Sequence, residues 1–269
     1  MLKLLAIRAI RLVSQDGERL ARFYAGIGFT ICSVQNIPAE DMARLGLEGG
    51  GMRWSLSLGE QRVEIDEYER SGAPYPESAD AAAPCFQHFA IVTTRIAEDW
   101  RRAISFGATQ ISSGGPVRLP ASSGGVTAGK FRDPDGHPLE LLAFPEPAEH
   151  GWNGEGTLGI DHSAISVIDL AKTMRFFEDR GLIRHKGSHN YGPEQDSLDG
   201  LRGADAEVRP LAPASAPPHL ELLAYNRSSA GDPFHGSAND VASTRIVWKA
   251  DGESEPFRDP SGHWHEIVR

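Results

Sequence analysis

The sequence predicts an α+β fold of curved, mixed sheets with helices along one face, built as a tandem repeat. Three observations carry this expectation. The decapeptide Phe131-Arg132-Asp133-Pro134-Asp135-Gly136-His137-Pro138-Leu139-Glu140 returns, at an offset of 126 residues, as Phe257-Arg258-Asp259-Pro260-Ser261-Gly262-His263-Trp264-His265-Glu266. A strand-like run ending in aspartate occurs at 9–16 and again at 162–169, and each is followed seven residues later by an aromatic pair, Phe23-Tyr24 and Phe176-Phe177. Strand, helix and several further strands therefore recur along the chain, a pattern of α+β architecture.

Each element has a local reason. Residues 1–13 are apolar, but Lys3, Arg8 and Arg11 interrupt them before a signal-peptide core or membrane span can form, so they read as a strand. Asp16 opens the first helix and Gly26 is expected to end it in the left-handed conformation. Strands follow at 54–58 and 62–66. After a Pro/Ala/Ser-rich divider at 71–84, the strand 88–92 leads into a helix carrying Ile96, Trp100, Ala103 and Ile104, which stops at Gly107. In each decapeptide, Asp-Pro-x-Gly fits a type I turn, with apolar strands on either side. Residues 145–156 concentrate Pro, Gly and charge and read as the linker between modules. Asp169 then caps a third helix, with Leu170, Met174 and Phe177 on one face and Gly181 beyond its end. Strands at 220–225 and 243–249 complete the reading. Four units result, 1–70, 84–145, 157–226 and 240–269, and the last has no room for a helix. Taken in chain order, the first two form a module over 1–145 and the last two a module over 157–269.

Composition narrows the function classes. The 269 residues carry a formal charge of −10, which disfavours nucleic acid and anionic lipid as partners and leaves small molecules or proteins. Two cysteines, Cys32 and Cys85, are too few for a disulfide scaffold and fit a reducing cytoplasm. The Gly/Ser-rich 112–129 lacks the Gly-Lys-Ser/Thr of a phosphate loop, Asp133-x-Asp135-Gly136 lacks the distant glutamate of a calcium loop, and no Gly-x-Ser-x-Gly elbow occurs.

The hairpins FRDPDGHPLEL and FRDPSGHWHEI, with the start IDHSAISVIDLAKTMRFFEDRGL, resemble the vicinal oxygen chelate superfamily, which includes glyoxalase I, extradiol dioxygenases, and fosfomycin- and bleomycin-resistance proteins. The resemblance implies βαβββ units that pair into cupped sheets, each cup holding a divalent metal on residues of first and last strands. Carried over residue by residue, the ligand positions of the first module are Ala9, Glu64, His88 and Glu140. Those of the second are His162, Glu221, Thr244 and Glu266. Spacings from first to last strand of 55, 52 and 59 residues support the first three units, whereas the fourth gives 22.

One imidazole and two carboxylates in a cavity can bind Fe, Mn, Zn or Ni as divalent ions and leave positions open for substrate. The second module is the expected site, with His162, Glu221 and Glu266 as ligands, Glu221 and Glu266 as the carboxylates able to move a proton, and Thr244 and His219 toward substrate. Arg11 shares a strand face with Ala9, and a cation there opposes a dication, so Glu64, His88 and Glu140 form the alternative site. Otherwise Glu64 and Glu140 pair with arginines in a metal-free cup. Thr244 stands where a ring-cleaving dioxygenase would have a second histidine, and the segments at Lys130 and Pro256 lack the tyrosine expected in that class. His137 and His263 are read as steadying their turns, His265 as facing away from Glu266, and His189 or Tyr191 as a general base in a lid over 187–193. The functional expectation is a metal-dependent lyase, isomerase or dioxygenase for a small oxygenated, possibly aromatic substrate. The alternative is a metal-free binding protein of the bleomycin-resistance type. Both cups can be completed within one chain, so a homodimer is unnecessary but allowed beside the monomer.

Overall fold

The computed structural model describes residues 2–226 and 231–268. The first unit comprises β1 (Leu4–Ser14), α1 (Gly17–Gly26), β2 (Thr30–Asn36), α2 (Ala39–Arg44), β3 (Gly51–Leu58) and β4 (Gln61–Tyr68). The second has β5 (Gln87–Thr93), α3 (Ile96–Ser105), β6 (Thr109–Gln110), β7 (Val117–Arg118), β8 (Thr127–Arg132) and β9 (Pro138–Ala143). The third runs through β10 (Thr157–Ser166), α4 (Leu170–Glu178), β11 (Ile183–Arg184), β12 (Ser188–Tyr191), α5 (Pro193–Asp199), β13 (Asp205–Ala212) and β14 (His219–Tyr225). The fourth has strands alone: β15 (Arg245–Ala250), β16 (Phe257–Arg258) and β17 (Trp264–Val268).

The helices begin where their caps direct. The Asp16 carboxylate accepts from the Arg19 N–H at 3.0 Å and that of Asp169 from the Lys172 N–H at 2.8 Å. The left-handed turn after α1 falls on Gly28 at φ +114°, not on Gly26. Gly26 is the last residue of the helix, and the Phe106 ring lies over it: a Cβ there would come within 2.5 Å of that ring. In the repeated hairpins Gly136 and Gly262 take φ of +101° and +94°, and a Cβ on Gly262 would lie 2.1 Å from the Phe234 carbonyl oxygen.

The units pair in nested order. A seven-stranded sheet runs β16-β17-β15-β1-β4-β3-β2, joining units one and four, and a ten-stranded sheet contains β11-β13-β14-β10-β5-β9-β8-β6, joining units two and three. Modules drawn in chain order would instead join unit one to two and three to four. The connections account for the difference. Residues 145–156 link β9 to β10, which flank β5 in one sheet, so the second cup-half is added to the sheet just completed. The supposed divider at 71–84 crosses to the other sheet, packing Tyr75 and Ala79 with Cys85, Val241 and Ala242.

Strand alternation then sorts the side chains. Phe89, Ile91, Leu139 and Leu141 enter a core with Phe23 and Tyr24 of α1 and Trp100 of α3. Helix α4 serves both sheets: Phe177 shares a core with Ile165, Leu220 and Leu222 of one and with Ile246, Trp248 and Ile267 of the other. The fourth unit therefore needs no helix of its own. Opposite these cores lie the two concave faces.

Candidate metal centre

In the ten-stranded sheet the four innermost strands each contribute one donor. His88 lies on β5, Glu140 on β9, His162 on β10 and Glu221 on β14. Parallel pairing sets Ala90 beside Glu140 and Ala164 beside Glu221, while antiparallel pairing of β10 with β5 sets His88 opposite Ala164. These residues consequently share one face, and the alanines leave its floor open.

The donor atoms converge. Nε2 of His88 is 2.8 Å from Oε2 of Glu140, and Nε2 of His162 is 4.0 Å from that same oxygen and 3.7 Å from Oε2 of Glu221. His88, Glu140 and His162 are buried, at 2%, 6% and 6% exposure, and their donor atoms lie close enough together to hold one cation. The short His88–Glu140 approach is outside hydrogen-bond geometry, so both ring nitrogens of His88 lie buried without a hydrogen-bond partner. A buried polar atom left unpaired is costly. Two imidazoles and one carboxylate with such an orphaned nitrogen, and a second carboxylate, Glu221, beside His162, suit a borderline transition metal or zinc.

Asp161 orients the second imidazole. Its Oδ2 is 2.9 Å from Nδ1 of His162, which turns Nε2 toward the carboxylates. His219, opposite His162 in the β10–β14 ladder, reaches Glu221 at 3.4 Å. Burial opposes charge on His162, but Glu221, Asp161 and Glu140 outweigh it and raise the ring to about 9. Glu221 is held near 2, burial being outweighed chiefly by the charge of His162. Burial, reinforced by the charge of Lys130, pushes His88 down and keeps it neutral.

A cavity of about 440 Å³ opens above these groups. It is bounded by the four donors, by apolar side chains including Leu119, Leu142 and Phe144, and by Lys130, Gln195 and Tyr225.

The other expected residues lie elsewhere. Glu266, taken from sequence as a partner of His162 and Glu221, is on β17 of the seven-stranded sheet, because unit four pairs with unit one through β15 and β1. Glu64 belongs to that second cup as well, and Thr244 immediately precedes its strand β15. There the ladders put Arg11 opposite Arg245 and beside Glu64, and Val247 beside Glu266. Position for position, Ala9 replaces His162, Arg245 replaces His88 and Glu266 replaces Glu140. The fourth-unit position assigned to Thr244 thus belongs to Arg245, one residue on.

Arg11 bonds Glu64 at 2.8 Å and Glu266 at 2.6 Å; Arg245 meets Glu266 at 2.6 Å and Asp66 at 3.1 Å. Guanidinium groups fill this cup, as the sequence reading of Arg11 anticipated. Glu140, also read there as an arginine partner, faces His88 instead. His189 and Tyr191 alternate away from the cavity on β12, Tyr191 being 65% exposed, while Ser188 and Asn190 line it. His265 turns to the helical side, where it accepts the Trp248 indole N–H at 3.1 Å. Sequence reasoning passed over Asp161, Lys130, Gln195, Asp199 and Tyr225. For Asp161 the adjacent Asp-His pair was the available signal.

No family model and no curated protein sequence matches the chain. Its fold is similar to that of glyoxalase I from Zea mays, with a TM-score of 0.62 at 15% identity over 100% of this chain and 92% of that one. It is also similar to a putative dioxygenase from Bacillus subtilis, with a TM-score of 0.57 at 14% identity over 98% and 85% of the two chains. Likeness at these identities establishes architecture, which hosts many chemistries.

Proposed function

We propose, from the vicinal-oxygen-chelate fold as premise, that this chain is a metal-dependent enzyme of lyase, isomerase or dioxygenase type acting on a small oxygenated substrate. The observation that carries the reading is the meeting of His88, Glu140 and His162, from three strands, beneath one cavity, with Glu221 3.7 Å from Nε2 of His162 at the edge of the group. These residues would hold one divalent ion, Fe, Mn, Zn or Ni. Such an ion supplies Lewis acidity toward two neighbouring substrate oxygens.

The chain's own groups divide the remaining work. Asp161 fixes the His162 ring. The Glu221 side chain is 18% exposed against 8% for Glu140, so Glu221 is the carboxylate freer to swing and take a proton from substrate. The apolar walls displace water from the substrate. No helix among the described residues is long and apolar enough to cross a membrane. Cys32 and Cys85 are both free thiols, in keeping with a reducing cytoplasm as the working compartment. Each cup closes within one chain, so the reading requires no second copy.

Protein purified without chelator should carry about one equivalent of metal, and His162→Ala should lose it. Less than a tenth of an equivalent in the unaltered protein ends the metalloenzyme reading. The second reading, metal-free sequestration of a ligand, draws support from the charge balance of the cup, where carboxylates surround the His162 imidazolium. It expects ligand-induced melting shifts that persist in excess chelator, without turnover.

A further inference from the structure

The cavity has a second polar end that the metal-centre reading leaves unused. Lys130 on β8 stands directly opposite Glu140 in the β8–β9 ladder, so both project from the concave face. It is 3% exposed. Its ammonium donates to Oδ1 of Asp199 at 2.7 Å, and among the described residues Asp199 is its one hydrogen-bond acceptor. An ammonium has three donors, so two remain to be met.

Asp199 is meanwhile shared. Its Oδ2 accepts from the Gln195 amide at 2.7 Å and from the Tyr225 hydroxyl at 2.9 Å. These two neutral donors hold the carboxylate in place and disperse its charge, so Lys130 is positioned without being saturated. Lys130, Gln195 and Tyr225 all border the cavity, and so does an apolar shelf of Leu119, Val126, Leu142 and Phe144. Leu142 and Leu119 pack in one small cluster with Val126 and Phe144, which makes that shelf a formed surface.

We propose that Lys130 anchors a carboxylate of the ligand, whose apolar body lies on the Leu119–Phe144 side of the cavity. A ligand carboxylate would share the Lys130 ammonium with Asp199, whose charge Gln195 and Tyr225 disperse, and a charge-assisted bond meets the remaining N–H groups better than a neutral acceptor. A phosphate dianion would demand more donors than this end offers. The substrate class becomes a small carboxylic acid that also carries neighbouring oxygens. The direction of those oxygens, toward His88 and His162, rests on the metal-centre reading; the carboxylate anchor itself does not.

Benzoate and its neutral isostere benzamide test the anchor without requiring a chelating ligand. Both are titrated calorimetrically into the full chain, once in excess chelator and once after loading with Ni²⁺. Benzoate should bind under both conditions, and benzamide at least tenfold more weakly. Lys130→Met should weaken benzoate tenfold or more and leave benzamide unchanged, and Lys130→Arg should recover most of the loss. Asp199→Asn, which removes the competing charge, should tighten benzoate at least threefold, an effect that a purely structural role for the pair would not produce. If Lys130→Met fails to fold by circular dichroism, the Asp199→Asn result decides. No benzoate binding to the unaltered protein, equal binding of the two probes, or unchanged or weaker binding to Asp199→Asn overturns the proposal. Metal content measured on the same samples reports separately: protein that binds benzoate but retains no metal keeps the anchor and loses the metalloenzyme reading.

Discussion

Asp161 holds the ring of its own chain neighbour, with Oδ2 2.9 Å from Nδ1 of His162. Neighbours in a regular strand point to opposite faces. Here the β10–β5 register slips between Ile160 and His162, and the slip brings both side chains to the concave face. The imidazole is thereby committed to presenting Nε2 to Glu140 and Glu221. Asp161→Ala should keep all four donors and weaken metal binding by about 10- to 100-fold. Competition against a chromophoric chelator measures this directly, and unchanged affinity would mean that packing alone orients the ring.

The seven-stranded sheet makes a different prediction. Arg11, Arg53 and Arg245 are interleaved with Glu64, Asp66 and Glu266, and Asp66 accepts both a 2.6 Å and a 2.9 Å bond from Arg53. Burial opposes charge throughout, yet the surrounding carboxylates hold Arg11 well above the usual guanidinium range. Arg11→Met would leave Glu64 and Glu266 short of their shared partner. The expected cost is about 3 to 5 kcal/mol in urea unfolding, because an uncompensated buried charge remains. Metal content should stay as in the unaltered protein.

Those two cups also mark what the amino-acid order could disclose. Helix caps at Asp16 and Asp169, the Asp-Pro-x-Gly turns and the first-to-last-strand spacings are local properties, and each led to the correct element. Which unit pairs with which is not local. Spacings of 55, 52 and 59 residues lie within units and say nothing about partners across a sheet. That choice follows from α4 packing beneath both sheets and from the 145–156 connection returning to the strand beside β5. Unit spacing consequently brings His162 and Glu221 together but joins them to Glu266 in place of His88 and Glu140. The one-residue displacement from Thr244 to Arg245 has the same origin, since a unit without a helix offers no span to count. Asp161 was hidden by the register slip, which reverses ordinary strand alternation.

Equivalent histidines of the two hairpins should titrate in opposite senses. Burial disfavours charge on His137, but Asp133, 2.9 Å from its Nδ1, outweighs this and raises it above its ordinary 6.5. Its contribution to stability is then complete below pH 6.5 and is lost as pH rises through the raised value. His263 instead meets the Ser166 carbonyl at 2.9 Å, and burial lowers it below 6.5. A ring kept neutral in the fold contributes fully above pH 6.5, and stability declines as pH falls from there through the lowered value. Urea unfolding from pH 5 to 9 should show the deficit of His137→Gln shrinking with rising pH. The deficit of His263→Gln should shrink with falling pH, and parallel trends in the two variants would refute the assignment.

The same repeat position separates the two cups most sharply. Glu140 and Glu266 both close the decapeptide Phe-Arg-Asp-Pro-x-Gly-His-x-x-Glu, and both stand two residues beyond the start of the hairpin's second strand, on a concave face. Their surroundings are opposite: Glu140 faces the neutral His88 and lies near Lys130, whereas Glu266 is gripped by Arg11 and Arg245. Removing charge from each should therefore do different things. Glu140→Gln takes away a donor to the ion and should reduce bound metal below about a tenth of an equivalent, and it should cost about 1 to 3 kcal/mol in urea stability, since Lys130 and the His162 imidazolium lose a buried anion. Glu266→Gln should retain the full metal content and lose about 1 to 3 kcal/mol, because two buried guanidinium groups keep a weaker acceptor. Elemental analysis and urea unfolding of the two proteins settle the matter together: equal metal loss in both would mean that Glu266, despite its arginines, reaches the ion after all.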